Sequence, residues 1–215
     1  MERMKLIQNM NWTYWAGWSW FRGVAKASFN YEVVGRERLI EEGGALVVSN
    51  HVSFLDPPLV GIAHRKGVFY LARKTLFKGF TAWLYPRWNS IPIDQENPDM
   101  SSLKNIIKLL KSGERVVMFP EGERSWDGQL LPAKAGVGLI VSKARVPVLP
   151  VRLFGAHEAL PRGASFWKNR QVTLVVGEPI EFTEEELKGK GREAYQAIAD
   201  KVIAAIAAIE LPERR

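Results

Sequence analysis

The stretch Ala45-Leu46-Val47-Val48-Ser49-Asn50-His51-Val52-Ser53-Phe54-Leu55-Asp56-Pro57-Pro58-Leu59-Val60-Gly61-Ile62-Ala63 reads as a buried strand, a short turn and the opening of a helix. The same unit recurs along the chain. Tyr31–Val34, Val68–Leu71, Arg115–Phe119, Pro147–Phe154 and Gln171–Val176 are strand-like, whereas 101–111, 137–144 and 192–209 show helical spacing or composition. Gly113 ends the first of these helices just before the strand at Arg115. This alternation predicts an α/β fold with a largely parallel sheet flanked by helices.

His51 falls in the turn between the first strand of that stretch and its helix. In open α/β sheets ligands bind outside the carboxyl ends of the strands, where such turns lie. An imidazole, with an ordinary pKa of about 6.5, accepts a hydroxyl proton once a carboxylate holds one of its nitrogens. Asp56, five residues on, is close enough to be that carboxylate. Asp before Pro-Pro is equally what a helix start requires, and His51 alone could bond to nearby backbone. Both readings stand until a second site is found.

The second site is Pro120-Glu121-Gly122-Glu123-Arg124-Ser125, which follows the strand-like Arg115–Phe119. Gly122 permits a tight turn or a close backbone approach to a ligand. Arg124 offers a planar fork suited to phosphate, although Glu121 and Arg124 could also form a loop ion pair.

Together, Asn50-His51-x4-Asp56 and Phe119-Pro120-Glu121-Gly122-x-Arg124-Ser125 resemble the glycerolipid acyltransferase family. Ala72-Arg73-Lys74, Ile91-Pro92-Ile93-Asp94, Lys134-Ala135-Gly136 and Val146–Val151 extend the resemblance over about residues 31–180. It implies an enzyme that transfers a fatty acyl group from a thioester donor, acyl-CoA or acyl carrier protein, to the free sn-2 hydroxyl of a lysophospholipid. With lysophosphatidic acid the product is phosphatidic acid. It also implies His51 as general base, Asp56 holding the imidazole tautomer, direct attack and no acyl-enzyme. Lys74 and Arg124 would bind the acceptor phosphate, with Glu121 and Gly122 shaping the loop and Lys134 nearby. Ser53 and Ser125 lie outside any Gly-x-Ser-x-Gly elbow.

Two positions depart from the family pattern. Glu123 stands where threonine is usual, and Gln95 where arginine is usual. An added negative charge and a lost positive one leave the acceptor head group open between lysophosphatidic acid, lyso-ornithine lipid and lysophosphatidylglycerol. A lipid hydrolase would release fatty acid without an acceptor, and a non-catalytic membrane protein would cleave no thioester.

A chain of 215 residues, 47% of them hydrophobic, supports one core, read as a catalytic domain over 30–215 with an N-terminal segment over 1–29. Lys and Arg number 30 against 23 Asp and Glu, a balance that suits anionic lipid surfaces or phosphorylated substrates, or simply solubility. The basic residues are scattered and carry no nucleic-acid-binding signature, so nucleic acid is not the expected partner. With no cysteine and three histidines, thiolate catalysis and a metal or cofactor site are not expected.

Residues 6–21 are uncharged and include Trp12, Trp15, Trp18 and Trp20. Gln8, Asn9, Asn11, Thr13 and Ser19 interrupt the run before it could span a bilayer. Tryptophan and tyrosine favour the headgroup layer, and Lys5, Arg22 and Lys26 flank the segment. It is expected either to lie in the interface of a membrane carrying anionic lipids or to pack on the domain's own core or on a partner. The resemblance favours the first, a peripheral or monotopic protein on the cytoplasmic face of the cell membrane. A second aromatic cluster, Leu76–Trp88, could border the acyl chain, meet the bilayer or join the core.

Overall fold

The computed structural model of the chain describes residues 12–94 and 100–213. The strand of the opening stretch is β2 (Ala45–Ser49), buried along its whole length, as an unalternating apolar run requires when a parallel sheet is covered on both faces. Among the described residues, β2 lies inside a seven-stranded sheet ordered β1-β7-β6-β2-β5-β3-β4. The other strands are β1 (Glu32–Val34), β3 (Phe69–Arg73), β4 (Ser90–Ile93), β5 (Arg115–Met118), β6 (Val148–Phe154) and β7 (Thr173–Val176). All neighbours are parallel except β6 and β7, so the expected largely parallel sheet is present. The segment Ile91-Pro92-Ile93 lies in edge strand β4, where Pro92 lacks a donor at little cost.

Helices cover both faces. Val47 of β2 faces a core shared with α1 (Trp12–Phe29) and α2 (Asp56–Ala63), whereas Leu46 and Val48 face α4 (Met100–Lys111), α5 (Ala135–Ala144) and α8 (Arg192–Ala207). That split follows from the two-residue period of a strand. Helix α3 (Phe80–Arg87) precedes β4, and the short α6 (Ala156–Ala159) and α7 (Glu184–Lys188) lie in the connections after β6 and β7. Helix α5 approaches α8 at Gly138, where any Cβ would run into the Tyr195 carbonyl oxygen.

Helix α1 belongs to this packing. Ala25 and Phe29 are fully buried in the core, and the Tyr14 hydroxyl accepts a 3.1 Å bond from the Val68 amide. Trp18 donates to the His64 carbonyl at 3.3 Å, and Trp88, at the end of α3, donates to the Thr13 carbonyl at 3.1 Å. Trp12, Trp15 and Trp20 remain exposed on α1, as do Phe80 and Trp83 on α3. The N-terminal helix therefore packs on the domain and also presents aromatic rings to the outside. No helix among the described residues is long and apolar enough to cross a membrane. Lys5 and Gln95, both named from the sequence, lie outside the described residues.

Candidate active site

Strands β2 and β5 are hydrogen-bonded neighbours in a register that sets Val48 opposite Met118. Continuing both strands by the same three residues brings His51 opposite Glu121, so the sheet itself joins the two loops. The His51 amide donates to Oε1 of Glu121 at 2.7 Å, and its carbonyl accepts from the Ser125 amide at 2.8 Å. Oε2 of Glu121 accepts from the Leu131 amide at 2.9 Å. Burial pushes the Glu121 carboxyl up to about 7; the Leu131 and His51 amides oppose this, and the nearby Asp56 charge adds to it. Glu121 is thus a buried clasp holding three chain segments rather than a group facing the ligand.

The His51 ring is held on two sides. Nδ1 lies 2.9 Å from Oδ2 of Asp56, and the face of the ring stacks on Phe119 at 4.1 Å between centroids with the planes 19° apart. Asp56 is fully buried, and its Oδ2 also accepts 2.7 Å bonds from the amides of Val52 and Ser53. The choice left open by the sequence is therefore resolved: Leu55 is the N-cap residue of α2 and has no side-chain cap bond, while the Asp56 carboxylate reaches back to the loop and the imidazole. With Nδ1 occupied as a donor to carboxylate, Nε2 is the nitrogen able to accept a proton.

The other polar groups of these loops are structural here. Asn50 exchanges two bonds with the main chain of Leu153, at 2.8 and 3.0 Å, tying the end of β2 to β6. Ser53 donates to the Leu160 carbonyl and Ser125 to Asp127, both at 2.8 Å. Neither hydroxyl is joined to a histidine.

His51 lines a cavity of about 660 Å³. Much of its wall is apolar, with Trp18, Phe21, Ile62, Leu71, Ile106 and Ile140 drawn from α1, α2, β3, α4 and α5. Cations also line it: Arg73 at the end of β3, Arg124, Lys134 and Arg162. Gly122, at φ +75°, turns the loop under Lys134, whose side-chain carbons would lie 2.8–2.9 Å from any added Cβ. Arg124 lies over the exposed ring of Phe54 at 5.1 Å. Burial, followed by the charges of Arg162 and Arg73, holds its guanidinium below its ordinary pKa, though such a group stays charged near neutrality.

His51, Gly122, Arg124 and Lys134 thus share this cavity, with Asp56 and Glu121 behind them. Lys74 is exposed in the 3-10 turn after β3 and does not line it; Arg73, its neighbour, does. Sequence reasoning missed the parts played by Phe119 and Arg162. Phe119 lay inside a motif already quoted, whereas Arg162, in the loop Leu160-Pro161-Arg162-Gly163, carries no signal of its own.

Comparison with known proteins adds independent findings. A family model described as Acyltransferase matches residues 30–153. The chain is 30% identical over 153 residues to the 1-acyl-sn-glycerol-3-phosphate acyltransferase of Bacillus subtilis, spanning 69% of this chain and 73% of that one. To the protein of that name from Streptococcus pneumoniae it is 28% identical over 160 residues, or 73% of this chain and 57% of the relative. For the chloroplastic BAT2 enzyme of Brassica napus the identity is 31% over 157 residues, covering 71% of this chain and 45% of that one. The chain thus spans about half the length of the last two. The crystal structure of the 1-acyl-sn-glycerophosphate (LPA) acyltransferase PlsC from Thermotoga maritima superposes with a TM-score of 0.64 at 28% identity, covering 85% of this chain and 74% of that one.

Proposed function

The chain belongs to the acyltransferase family, and on that premise we propose that it esterifies the sn-2 hydroxyl of lysophosphatidic acid to give phosphatidic acid, a step of phospholipid biosynthesis. The acyl donor is a thioester, either acyl-CoA or acyl carrier protein. One observation supports this reading above the others: a histidine–aspartate pair at 2.9 Å lies on the wall of a large, mainly apolar cavity that also carries arginine and lysine.

In the proposed reaction His51 Nε2 takes the acceptor's hydroxyl proton as the oxygen attacks the thioester carbonyl. Asp56 stabilises the imidazolium that forms. The tetrahedral intermediate collapses with cleavage of the C–S bond, and the leaving thiolate takes the proton back from His51. Arg124 and Lys134 meet the acceptor phosphate, and the apolar wall takes acyl chain. Glu121 and Gly122 shape the loop, while Lys74 would act only from outside this cavity. No cofactor is required by this chemistry.

The protein is proposed to work as a peripheral or monotopic enzyme on the cytoplasmic face of a membrane with anionic lipids. The exposed Trp12, Trp15, Trp20, Phe80 and Trp83 support that placement. The reaction is tested by offering oleoyl-CoA and oleoyl-acyl carrier protein with lysophosphatidic acid, lysophosphatidylglycerol or lyso-ornithine lipid, and identifying the lipid product by mass spectrometry. Phosphatidic acid is expected as the chief product. Fatty acid released without an acceptor would overturn the reading in favour of a hydrolase.

A further inference from the structure

Glu123 occupies the position where threonine is usual, and a lone carboxylate on the cavity wall would repel an anionic head group. That carboxylate has a partner. Arg162, from the connection between β6 and β7, places Nη1 at 3.4 Å from Oε2 of Glu123 and donates from the same nitrogen to the Arg124 carbonyl at 2.7 Å. Its guanidinium carbon lies 3.9 Å from the centre of the Trp126 ring, and the side chain is 21% exposed.

Ring, carboxylate and carbonyl together fix the plane of the fork. A guanidinium has five N–H donors, and both polar contacts use Nη1, so the Nη2 edge is left for another acceptor. Glu123, Arg124 and Arg162 all line the same cavity as His51. Arg73 and Arg162 stand near enough to Arg124 to depress its pKa after burial has done so, which agrees with a convergence of positive charge. By Coulomb's law, removing Arg162 would leave the Glu123 carboxylate to lower the positive potential that Arg124 and Arg73 offer an anionic head group.

We propose that Arg162 is a specificity-determining residue for the acceptor head group: it cancels the charge of Glu123, props the main chain that carries Arg124, and turns its Nη2 edge to the acceptor's phosphate. The assignment deepens the reading of the acceptor site given above and rests on it.

Equilibrium binding of lysophosphatidic acid and of monoacylglycerol of equal chain length, which lacks the phosphate, by titration calorimetry in non-ionic detergent, tests it without turnover. Arg162→Ala is expected to weaken lysophosphatidic acid by roughly tenfold or more and to leave monoacylglycerol within about twofold. Adding Glu123→Gln to Arg162→Ala should recover a large part of the loss, a rescue that a purely structural role would not produce. If Arg162→Ala loses its near-ultraviolet circular dichroism, Arg162→Gln reads the same contrast. Unchanged lysophosphatidic acid binding in the variant, a loss not relieved by Glu123→Gln, or a wild type that does not prefer lysophosphatidic acid would each overturn the assignment. A wild type that shows the preference, with variants that show the loss and the rescue, but that forms no phosphatidic acid would overturn the reaction and leave this assignment standing.

Discussion

Glu121 accepts the main-chain amide of His51 in a 2.7 Å hydrogen bond across 70 residues of sequence. Since the other oxygen of the same carboxylate holds Leu131, one buried side chain sets the spacing between the loop that carries His51 and the loop that carries Arg124. The position of the imidazole therefore depends on a residue that never meets the cavity.

The raised pKa of Glu121 makes this clasp visible in stability. Its ordinary value is 4.5 and burial lifts it to about 7, so between those values the folded protein holds a proton that the unfolded chain has released. Stability from this group is full below pH 4.5 and is lost as pH rises through about 7, at up to roughly 1.4 kcal/mol per pH unit. The stability of wild type minus that of Glu121→Gln, from urea melts, should decline across that window. A flat difference would contradict the assignment.

Phe119 restrains the imidazole by stacking rather than by bonding. Phe119→Leu keeps the apolar volume and removes the flat partner. Small displacements of reacting groups are costly, so kcat is expected to fall by about 10- to 100-fold with the acceptor KM little changed. Steady-state kinetics would separate the two, and an unaltered kcat would mean that Asp56 alone orients the ring.

Arg124→Ala removes the charged contact proposed to the acceptor. Hydrogen bonds to charged groups contribute about 1.5–3 kcal/mol, equivalent to roughly a 10- to 100-fold rise in the acceptor KM. The donor KM should not follow. A variant that lowers kcat while both KM values stay put would place Arg124 at the reacting carbonyl instead.

Membrane association is tested with point changes, since α1 carries core residues Ala25 and Phe29 and its removal would open the core. Trp12→Ser with Trp20→Ser alters exposed rings only. Co-sedimentation with liposomes containing phosphatidylglycerol should drop on the order of tenfold or more, with the thermal midpoint nearly unchanged. Full retention on the liposomes would move the contact to another face.

The strands and the main helices could be read from local pattern, because buried parallel strands announce themselves as apolar runs and helices as spaced ones. What decides the site is non-local. Asp56 suits either a helix start or an imidazole partner, and only the path of the 51–53 loop shows that its carboxylate turns back. Arg73 and Lys74 are adjacent in one motif, but β3 ends at Arg73 and Lys74 opens the 3-10 turn that follows, and Arg73 lines the cavity whereas Lys74 does not. Glu121 meets His51 through the register of β2 on β5, and Arg162 arrives from a loop with no pattern. None of these follows from spacing along the chain.

The central claim is that His51 removes the acceptor's proton in a direct attack on a thioester. Thiol release from oleoyl-CoA and from oleoyl-acyl carrier protein, with and without lysophosphatidic acid, tests it most directly when wild type is set beside His51→Ala. Release should require the acceptor, and the variant should lose about 10²- to 10⁴-fold in rate while keeping its circular dichroism spectrum. Ordinary turnover by a folded His51→Ala protein would contradict the account.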